Sequence, residues 1–490
     1  MFETNEDLYQ MSTENEIRKS FKWSTITEIC VKLITPILNA ILARILLPEA
    51  FAPLATVTMI ISLGEIFVES GFKKYLIQHK FESDEEYKNA LDVALWTNVA
   101  FASFVWLLIA VFSKPLATFL GNSEIWQAIM ISGVILPIHG VIGVLSSKLH
   151  KDLKFKKLFL VRLTTALIPL FVTIPLAILG LDYWSLIIGN IAYVVAWLIV
   201  LVIISKYKFR LYYSITVLKE MLKCGVWTLL DGMAVWLTTW IDSFIIARYM
   251  NEYYLGMYKN SLSTVNTLFS IVMSAIGPVL FVGLSKLQGD DEKFSSFFNS
   301  TQRTLAMVLI PLGVGVLLYK DFAVQVLFGN NWLEAANIVG IVAFTTALRM
   351  VFVSICSDAY RAKGKFKIPL ILQIVDICLI VPICVLSAKE GFWNLVYARA
   401  FIKLDLIIPE LIIMKYALNI DVVNQLKKLL PIFGGTILMT GVCLLLKLVS
   451  SAVVWNVFSI IIAIVIYGAF LIIIPSSRKD LKDLIRKTKD

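Results

Sequence analysis

Apolar runs long enough to cross a lipid bilayer recur along almost the whole chain. A spanning α-helix needs about 20 consecutive, mostly apolar residues. By this criterion the pattern predicts fourteen transmembrane helices, near 20–46, 49–70, 88–113, 123–147, 156–180, 183–205, 220–248, 252–285, 296–319, 333–360, 367–388, 391–416, 429–449 and 452–474. We therefore expect an all-α integral membrane protein.

The segment around the first predicted helix returns in the second half of the chain. Trp23 and Arg44 are separated from Trp227 and Arg248 by the same number of positions, and each arginine closes an apolar run before a polar turn. Because an even number of helices separates the two copies, they have the same orientation in the membrane, as in parallel repeats. This pattern predicts two pseudo-symmetric six-helix lobes and a C-terminal helix pair that has no counterpart in the repeat.

The repeat and the polar stretches between helices divide the chain into six parts. They are a cytoplasmic N-terminal segment at 1–17, a lobe at 18–205, a cytoplasmic linker at 206–219, a lobe at 220–416, helices thirteen and fourteen at 417–474, and a basic cytoplasmic tail at 475–490.

The first predicted helix carries a polar stripe on one face. Its polar residues are spaced four, three and four positions apart, which places them on one side of a helix; they are Glu28, Lys32, Thr35 and Asn39. Lipid cannot satisfy polar side chains, so such stripes face a bundle interior or a water-filled cavity. We therefore expect a polar seam between the lobes.

Composition and charge agree with a membrane protein and set its orientation. Apolar residues make up 58% of the chain and charged residues 16%, which is too few charges for a typical soluble domain. Most Lys and Arg residues fall in the termini and in one set of alternate loops, which places both termini in the cytoplasm. This asymmetry accounts for the net charge of +10, and we expect no nucleic-acid partner.

Four basic residues lie at membrane depth, where each costs about 2.5 to 3.5 kcal/mol on insertion scales. They are Lys32, Arg349, Arg399 and Lys403. We expect them to line an electropositive cavity that binds a diphosphate, since arginine suits bidentate phosphate contact. On the twelfth predicted helix, the spacing places Arg399, Lys403 and Glu410 on one face. The alternative is that these bases pair with nearby carboxylates and only hold helices together.

Other charged residues suggest an ion site and a gate. The carboxylates that could bind a coupling H⁺ or Na⁺ are Glu28, Asp231, Asp242 and Asp376. For the three aspartates a purely structural role stays open, and Glu28 could instead pair with one of the bases. Arg44 and Arg248 end equivalent helices, so they could pair in an outer gate or only compensate charge at a helix C-terminus. His139 follows Pro137, and we expect a packed, kink-associated histidine rather than a proton carrier.

Motifs of enzymes and metal sites are absent from the sequence. It contains no P-loop, no GxSxG and no HExxH, its three histidines cannot supply a typical metal centre, and its six cysteines form no CxxC pair. We predict that the protein is not an enzyme and that it has no metal and no cofactor.

Two short segments carry a resemblance to a known family. ARILLPEAFAPL follows the first helix and ARYMNEYYLGMY follows the seventh. With the fourteen-helix pattern, they resemble the polysaccharide-exporter branch of the multidrug/oligosaccharidyl-lipid/polysaccharide (MOP) flippase superfamily. Relatives often read Arg-x-Leu-x-Pro-x-x-Phe-Gly here. The matching residues are Arg44, Leu46, Pro48 and Phe51, then Arg248, Leu255 and Gly256, whereas Ala52 replaces Gly and Glu252 stands where Pro would be.

The resemblance implies a flippase that moves undecaprenyl-diphosphate-linked oligosaccharides across a bacterial cytoplasmic membrane by alternating access. It also implies contact with membrane lipid, coupling to H⁺ or Na⁺, and polysaccharide assembly proteins as partners. The main alternative is a cation-coupled drug or metabolite exporter of the same superfamily. A membrane glycosyltransferase or polymerase is disfavoured by the short outer loops, and a peptidoglycan-precursor flippase stays open.

Overall fold

In a computed structural model of the protein, the described residues are 31–68, 72–79, 81–152, 154–365, 367–450 and 452–474. All regular secondary structure in these ranges is helical. The predicted all-α fold class is confirmed. The chain divides into two compact units, Met1–Lys259 and Asn260–Asp490.

The first unit contains eleven described α-helices and the start of a twelfth. They are α1 (31–45), α2 (Pro48–Val68), α3 (Phe72–Gln78), α4 (Asp84–Val111), α5 (Ser113–Phe119), α6 (Trp126–Ser132), α7 (Ile135–Lys151), α8 (Phe155–Ala166), α9 (Ile168–Ile178), α10 (Tyr183–Ser205), α11 (Ile215–Tyr249) and α12 (Glu252–Lys286), with a 3₁₀ turn at Ser123–Ile125. The last of these, α12, continues into the second unit.

The second unit contains the remaining described helices. They are α13 (Asp291–Leu318), α14 (Lys320–Leu327), α15 (Ala336–Arg349), α16 (Ile355–Ala362), α17 (Lys367–Lys389), α18 (Phe392–Ile402), α19 (Ile407–Leu418), α20 (Val422–Lys447) and α21 (Val453–Ile473), with a 3₁₀ segment at Asn330–Ala335. A π-helical turn at Met350–Ser354, called the π turn below, joins α15 to α16.

Ten helical stretches in the described ranges are long and apolar enough to cross a membrane. They correspond to predicted helices two to six, nine to eleven, thirteen and fourteen. Predicted helix one begins outside the described residues. Predicted helices seven and eight form α11 and α12, continuous helices of 35 residues each in which polar positions interrupt the apolar runs.

The twelfth predicted helix is not continuous, which corrects the shared face expected for Lys403 and Glu410. It ends at Ile402 and restarts at Ile407. Pro409, in the first turn of α19, cannot donate a backbone hydrogen bond, and its ring clashes with the carbonyl four residues earlier. The chain therefore turns over 403–406, and this turn sets the directions of Lys403 and Asp405.

Predicted helices four and five are also split at a proline. Pro137 lies in the first turn of α7 and Pro169 in that of α9. By contrast, Pro311 and Pro382 lie inside the uninterrupted helices α13 and α17. A proline is therefore compatible with both outcomes, and the packing around it determines which one occurs.

The linker between the predicted lobes is fastened to the first unit. Asp92, fully buried on α4, accepts a hydrogen bond from Tyr207 and forms a salt bridge with Arg210 at 3.0 Å. Trp96 Nε1 donates to the Arg210 carbonyl at 2.8 Å. Burial, followed by the bond to Asp92, raises the pKa of Tyr207, so the phenol stays protonated.

Helices α20 and α21, the C-terminal pair, attach to α13 through buried polar groups. Tyr467 Oη donates to the Met307 carbonyl at 2.9 Å. The Gln425 side chain donates to that of Gln302. Each bond gives a polar group of the C-terminal pair a partner on α13. A polar group can be buried within a membrane protein only if it has such a partner.

Candidate functional site

A cluster of charged side chains forms in the second unit around Arg349, the last residue of α15. Arg349 Nη2 lies 2.8 Å from Asp376 Oδ2 on α17. Arg349 Nη1 donates to the Lys403 carbonyl at 3.2 Å and lies 3.9 Å from Asp405 Oδ1. The Asp376 side chain is 3% exposed and that of Arg349 is 24% exposed, so the guanidinium is the accessible partner.

The break between α18 and α19 brings Lys403 into this cluster. Lys403 Nζ lies 3.1 Å from Thr346 Oγ1, one turn before Arg349 on α15. Arg399, one turn before Lys403 on α18, acts electrostatically on Asp405. The structure therefore brings together three of the four predicted bases, Arg349, Arg399 and Lys403, and the predicted carboxylate Asp376.

Three bases face Asp376 and Asp405, and Arg349 also acts electrostatically on Glu410, so the formal charges of the bases and the acids balance. Asp376 Oδ1 and Asp405 Oδ2 are buried and accept no hydrogen bond in the described structure. Glu410 makes a separate contact, in which it accepts a hydrogen bond from Tyr360 Oη at 2.6 Å. The Arg349 cluster can bind an anion if oxygens of the anion replace a carboxylate beside the guanidinium. In this structure Arg349 pairs with a carboxylate, as in the alternative in which the bases hold helices together.

The other predicted site residues lie in the first unit or outside the described residues. Lys32 is a partly exposed residue of α1. Glu28 and the side chain of Asp231 are outside the described part of the chain. Asp242 is fully buried and accepts from Tyr258 Oη at 2.8 Å and from the Ser243 amide at 2.6 Å. The bond from Tyr258 ties α12 to α11.

Arg44 and Arg248 are both exposed, at the ends of α1 and α11. The Arg248 guanidinium carbon lies 5.5 Å from the centroid of the Phe119 ring and 5.9 Å from that of Tyr249. These distances are typical of cation–π interactions. The aromatic surroundings of Arg248 were not predicted from the helix-end position alone.

An acid–histidine pair within the first unit was missed by sequence reasoning. His139 Nδ1 lies 2.6 Å from Glu65 Oε1, across α7 and α2. The imidazole also packs edge-on against Trp197, with ring centroids 6.0 Å apart. We expected a packed histidine beside Pro137, and the structure adds an acidic partner. Only the pairing of predicted helices two and four could have indicated it.

A cavity of about 240 Å³ lies in the first unit near the repeat motif. Its polar lining includes Asn122, whose amide donates to the Glu252 carboxylate, and the buried Thr56. Glu252 stands at the position where the first copy of the motif has Pro48. That departure from the repeat was the only sequence feature that pointed to this place.

Comparison with known sequences identifies the family. Residues 41–337, more than half of the chain, match the family described as "Polysaccharide biosynthesis protein". The match runs from the end of α1 into α15, so it includes both copies of the repeat motif.

Two similar proteins have assigned roles in polysaccharide biosynthesis. The succinoglycan biosynthesis transport protein ExoT of Rhizobium meliloti (strain 1021) is 24% identical over 68% of this chain and 66% of its own length, just under two thirds. The lipopolysaccharide biosynthesis protein WzxC of Escherichia coli (strain K12) is 22% identical over 77% of this chain and 76% of its own length. The relatives are thus transport and biosynthesis proteins of surface polysaccharides, a finding that does not favour drug export.

Two solved structures share the fold. The lipid II flippase MurJ, in an inward closed conformation, aligns with a TM-score of 0.76 at 18% identity and covers 94% of this chain and 99% of its own. An inward-facing MATE-family multidrug resistance transporter of the MOP superfamily aligns with a TM-score of 0.59 at 12% identity, over 81% of this chain and 99% of its own. The chain is therefore a multi-pass membrane protein with a MOP superfamily fold, and it belongs to the polysaccharide biosynthesis protein family.

Proposed function

We propose that the protein is a flippase that moves undecaprenyl-diphosphate-linked oligosaccharides across the bacterial cytoplasmic membrane. The observation that carries this proposal is the cluster of Arg349, Arg399 and Lys403, in which Arg349 lies in a candidate membrane span and the other two lie on the split twelfth predicted helix. A diphosphate is the anionic part of such a lipid, and it needs cations at membrane depth, whereas the polyprenyl chain can stay in lipid. The names of the relatives, which include a succinoglycan transport protein, support this substrate class.

The pairing of Arg349 with Asp376 suggests how binding can be reversible. Leaving a half-buried guanidinium without a partner is costly, because an uncompensated charge that is partly withdrawn from water is destabilising. When a diphosphate oxygen replaces Asp376, Arg349 exchanges one anionic partner for another. When the substrate leaves, Asp376 takes the place back. Transport requires this balance, since a site that bound diphosphate without a competitor would not release it.

The same pairing gives the coupling ion a place to act. H⁺ or Na⁺ at Asp376 would neutralise the carboxylate that competes with the substrate for Arg349. Glu28, Asp231 and Asp242 stay in the set proposed for coupling, although Asp242 already accepts hydrogen bonds from Tyr258 and from the amide and hydroxyl of Ser243. Lys32 stays a proposed diphosphate contact, and Arg44 and Arg248 stay a proposed outer gate. Both termini are proposed to be cytoplasmic, and assembly proteins to receive the product.

The drug or metabolite exporter of the same superfamily is the less favoured function. A carrier of organic cations calls for an acidic or aromatic binding surface without competing bases, and the cluster contains three bases. The relatives also have polysaccharide roles. An exporter of that kind would leave polyprenyl-linked intermediates unchanged when it is removed.

Depletion of the protein in its own bacterium separates these functions. Polyprenyl-linked intermediates are measured by mass spectrometry while surface polysaccharide is stained. A flippase leaves complete diphosphate-linked repeat units in the membrane and little surface polymer, and the accumulated lipid identifies the sugar. Unchanged intermediates, in a strain without a second flippase, would contradict the proposal.

A further inference from the structure

The π turn directly follows Arg349 and fixes two sets of contacts at once. Before the turn, Arg349 meets Asp376. After it, Tyr360 on α16 donates to Glu410 at 2.6 Å. A π turn inserts one extra residue into an α-helix. Such turns are rare overall, but many of them lie at functional sites. Losing that extra residue would rotate one side of the turn against the other by about 100°, the rotation per residue of an α-helix.

A buried glutamine on the neighbouring helix holds the π turn. Gln302 on α13 is 1% exposed, and its Nε2 donates to the Val351 carbonyl inside the turn at 3.0 Å. Its own Oε1 accepts from Gln425, which is 2% exposed on α20. A continuous chain of amide hydrogen bonds therefore runs from α20 through α13 to the backbone two residues beyond Arg349.

The two links that lead to the Val351 carbonyl are formed, whereas Gln425 Oε1 is buried and accepts no hydrogen bond in the described structure. A buried amide that loses its partner is destabilising, because it forfeits the hydrogen bonds that water would have supplied. Apolar side chains would fill the space between α13, α20 and the turn without that cost. Two glutamines linked in series to a carbonyl of the π turn therefore indicate that the backbone geometry of the turn is required. The charged residue next to the turn in the sequence is Arg349, and its direction depends on that geometry.

We propose that Gln302 is a positioning residue for the anion site and that Gln425 links this site to α20. The inference rests on the proposed function, in which Arg349 binds the substrate diphosphate. Gln302 holds the π turn, and the turn aims Arg349 at the place shared by Asp376 and the diphosphate. The C-terminal helix pair, which has no counterpart in the repeat, thereby acquires a role in substrate binding.

Binding of geranylgeranyl diphosphate to the purified full-length protein tests the proposal. The variants are Gln302→Leu and the double variant Gln302→Leu, Gln425→Leu, which removes both amides and so leaves neither unpaired. Both should raise the Kd of the probe at least about tenfold, the loss expected when a charge-assisted contact of about 1.4 kcal/mol is misplaced. Geranylgeraniol measures the contribution of the lipid tail, and its binding should not change.

Tyr467→Phe is the matched control, since it removes another buried bond between the C-terminal pair and α13 without touching the π turn. Its Kd should equal that of the wild type even where its Tm falls. An equal loss of affinity in Tyr467→Phe would overturn the proposal, because general loosening would then explain the effect.

Arg349→Ala separates an error in the proposed diphosphate site from an error in the proposed role of Gln302. If Arg349→Ala binds the probe as the wild type does, the diphosphate site itself is wrong. If Arg349→Ala weakens binding and both leucine variants do not, the anion site stands and the role of Gln302 is wrong. The expected result is that all three lose affinity and that Gln302→Leu adds no further loss to Arg349→Ala.

Discussion

Gly256 lies against the backbone of Pro48, so close that a Cβ on Gly256 would come within 1.8 Å of the Pro48 carbonyl oxygen. Both residues belong to the repeat motif, Pro48 to the first copy and Gly256 to the second. The motif therefore encodes a contact in which the start of α2 meets the start of α12. The close approach gives a physical reason for glycine at 256, where the first copy of the motif has Ala52.

Gly256→Ala should destabilise the first unit, because a carbonyl at this distance cannot move aside as a flexible side chain can. Overpacking of this kind costs about 1 to 3 kcal/mol. Thermal unfolding in detergent should show a clear fall in Tm. Gly143→Ala is the control, since nothing lies within 4 Å of a Cβ at this position in α7, and alanine there should raise Tm slightly. A tolerated Gly256→Ala would contradict the close approach.

Arg349→Ala should lower both stability and transport, for different reasons. It leaves Asp376 buried without its partner, and breaking a buried pair costs about 3 to 5 kcal/mol. Arg349→Ala combined with Asp376→Ala removes both charges and should recover most of the Tm while surface polysaccharide stays absent. Recovery of polysaccharide export in the double variant would show that the pair only holds α15 to α17.

Arg399→Ala and Lys403→Ala should abolish export while the protein stays in the membrane. Each variant removes a cation from the cluster and leaves the Arg349 to Asp376 pair intact. Surface polysaccharide staining and a membrane immunoblot measure the two quantities separately. Lys415→Ala is the matched control, because Lys415 is an exposed lysine next to Tyr416 on α19. Wild-type polysaccharide in both cluster variants would remove them from the site.

Glu65→Leu should destabilise the first unit, because it leaves the His139 Nδ1 proton without the acceptor seen at 2.6 Å. The His139 side chain is 22% exposed, so the cost should be at the low end of the range of about 1 to 3 kcal/mol for a buried donor that loses its partner. Glu65→Gln keeps an acceptor oxygen and should keep most of the Tm. Equal values for the two variants in thermal unfolding would mean that the hydrogen bond contributes nothing measurable.

Hydrophobic length and the repeat made the membrane fold predictable, because a spanning helix must be apolar along its whole length. The positions of helix breaks were harder to predict. Pro409 and Pro137 stand at breaks, but Pro311 and Pro382 do not, so the proline rule alone could not locate the turn that places Lys403.

Pairings between distant helices were also beyond the sequence. The four bases at membrane depth were identified by their cost in lipid, and three of them do meet. Which acid each one meets depends on helix rotation and tilt, which hydrophobic patterns leave undetermined. Arg349 and Asp376, like Glu65 and His139, became partners only in three dimensions. The π turn next to Arg349 has no local sequence feature, since Gln302 holds it from another helix.

Translocation by the purified protein tests the central claim most directly. The protein is reconstituted into vesicles that carry an undecaprenyl-diphosphate-linked oligosaccharide, and the fraction of the saccharide exposed on the opposite leaflet is followed with an impermeant glycosidase. We predict rapid exposure of the saccharide with the wild-type protein. With Arg349→Ala we predict no more exposure than in vesicles that carry the substrate but no protein. Equal exposure of the saccharide in vesicles with the wild-type protein and in protein-free vesicles would contradict the account.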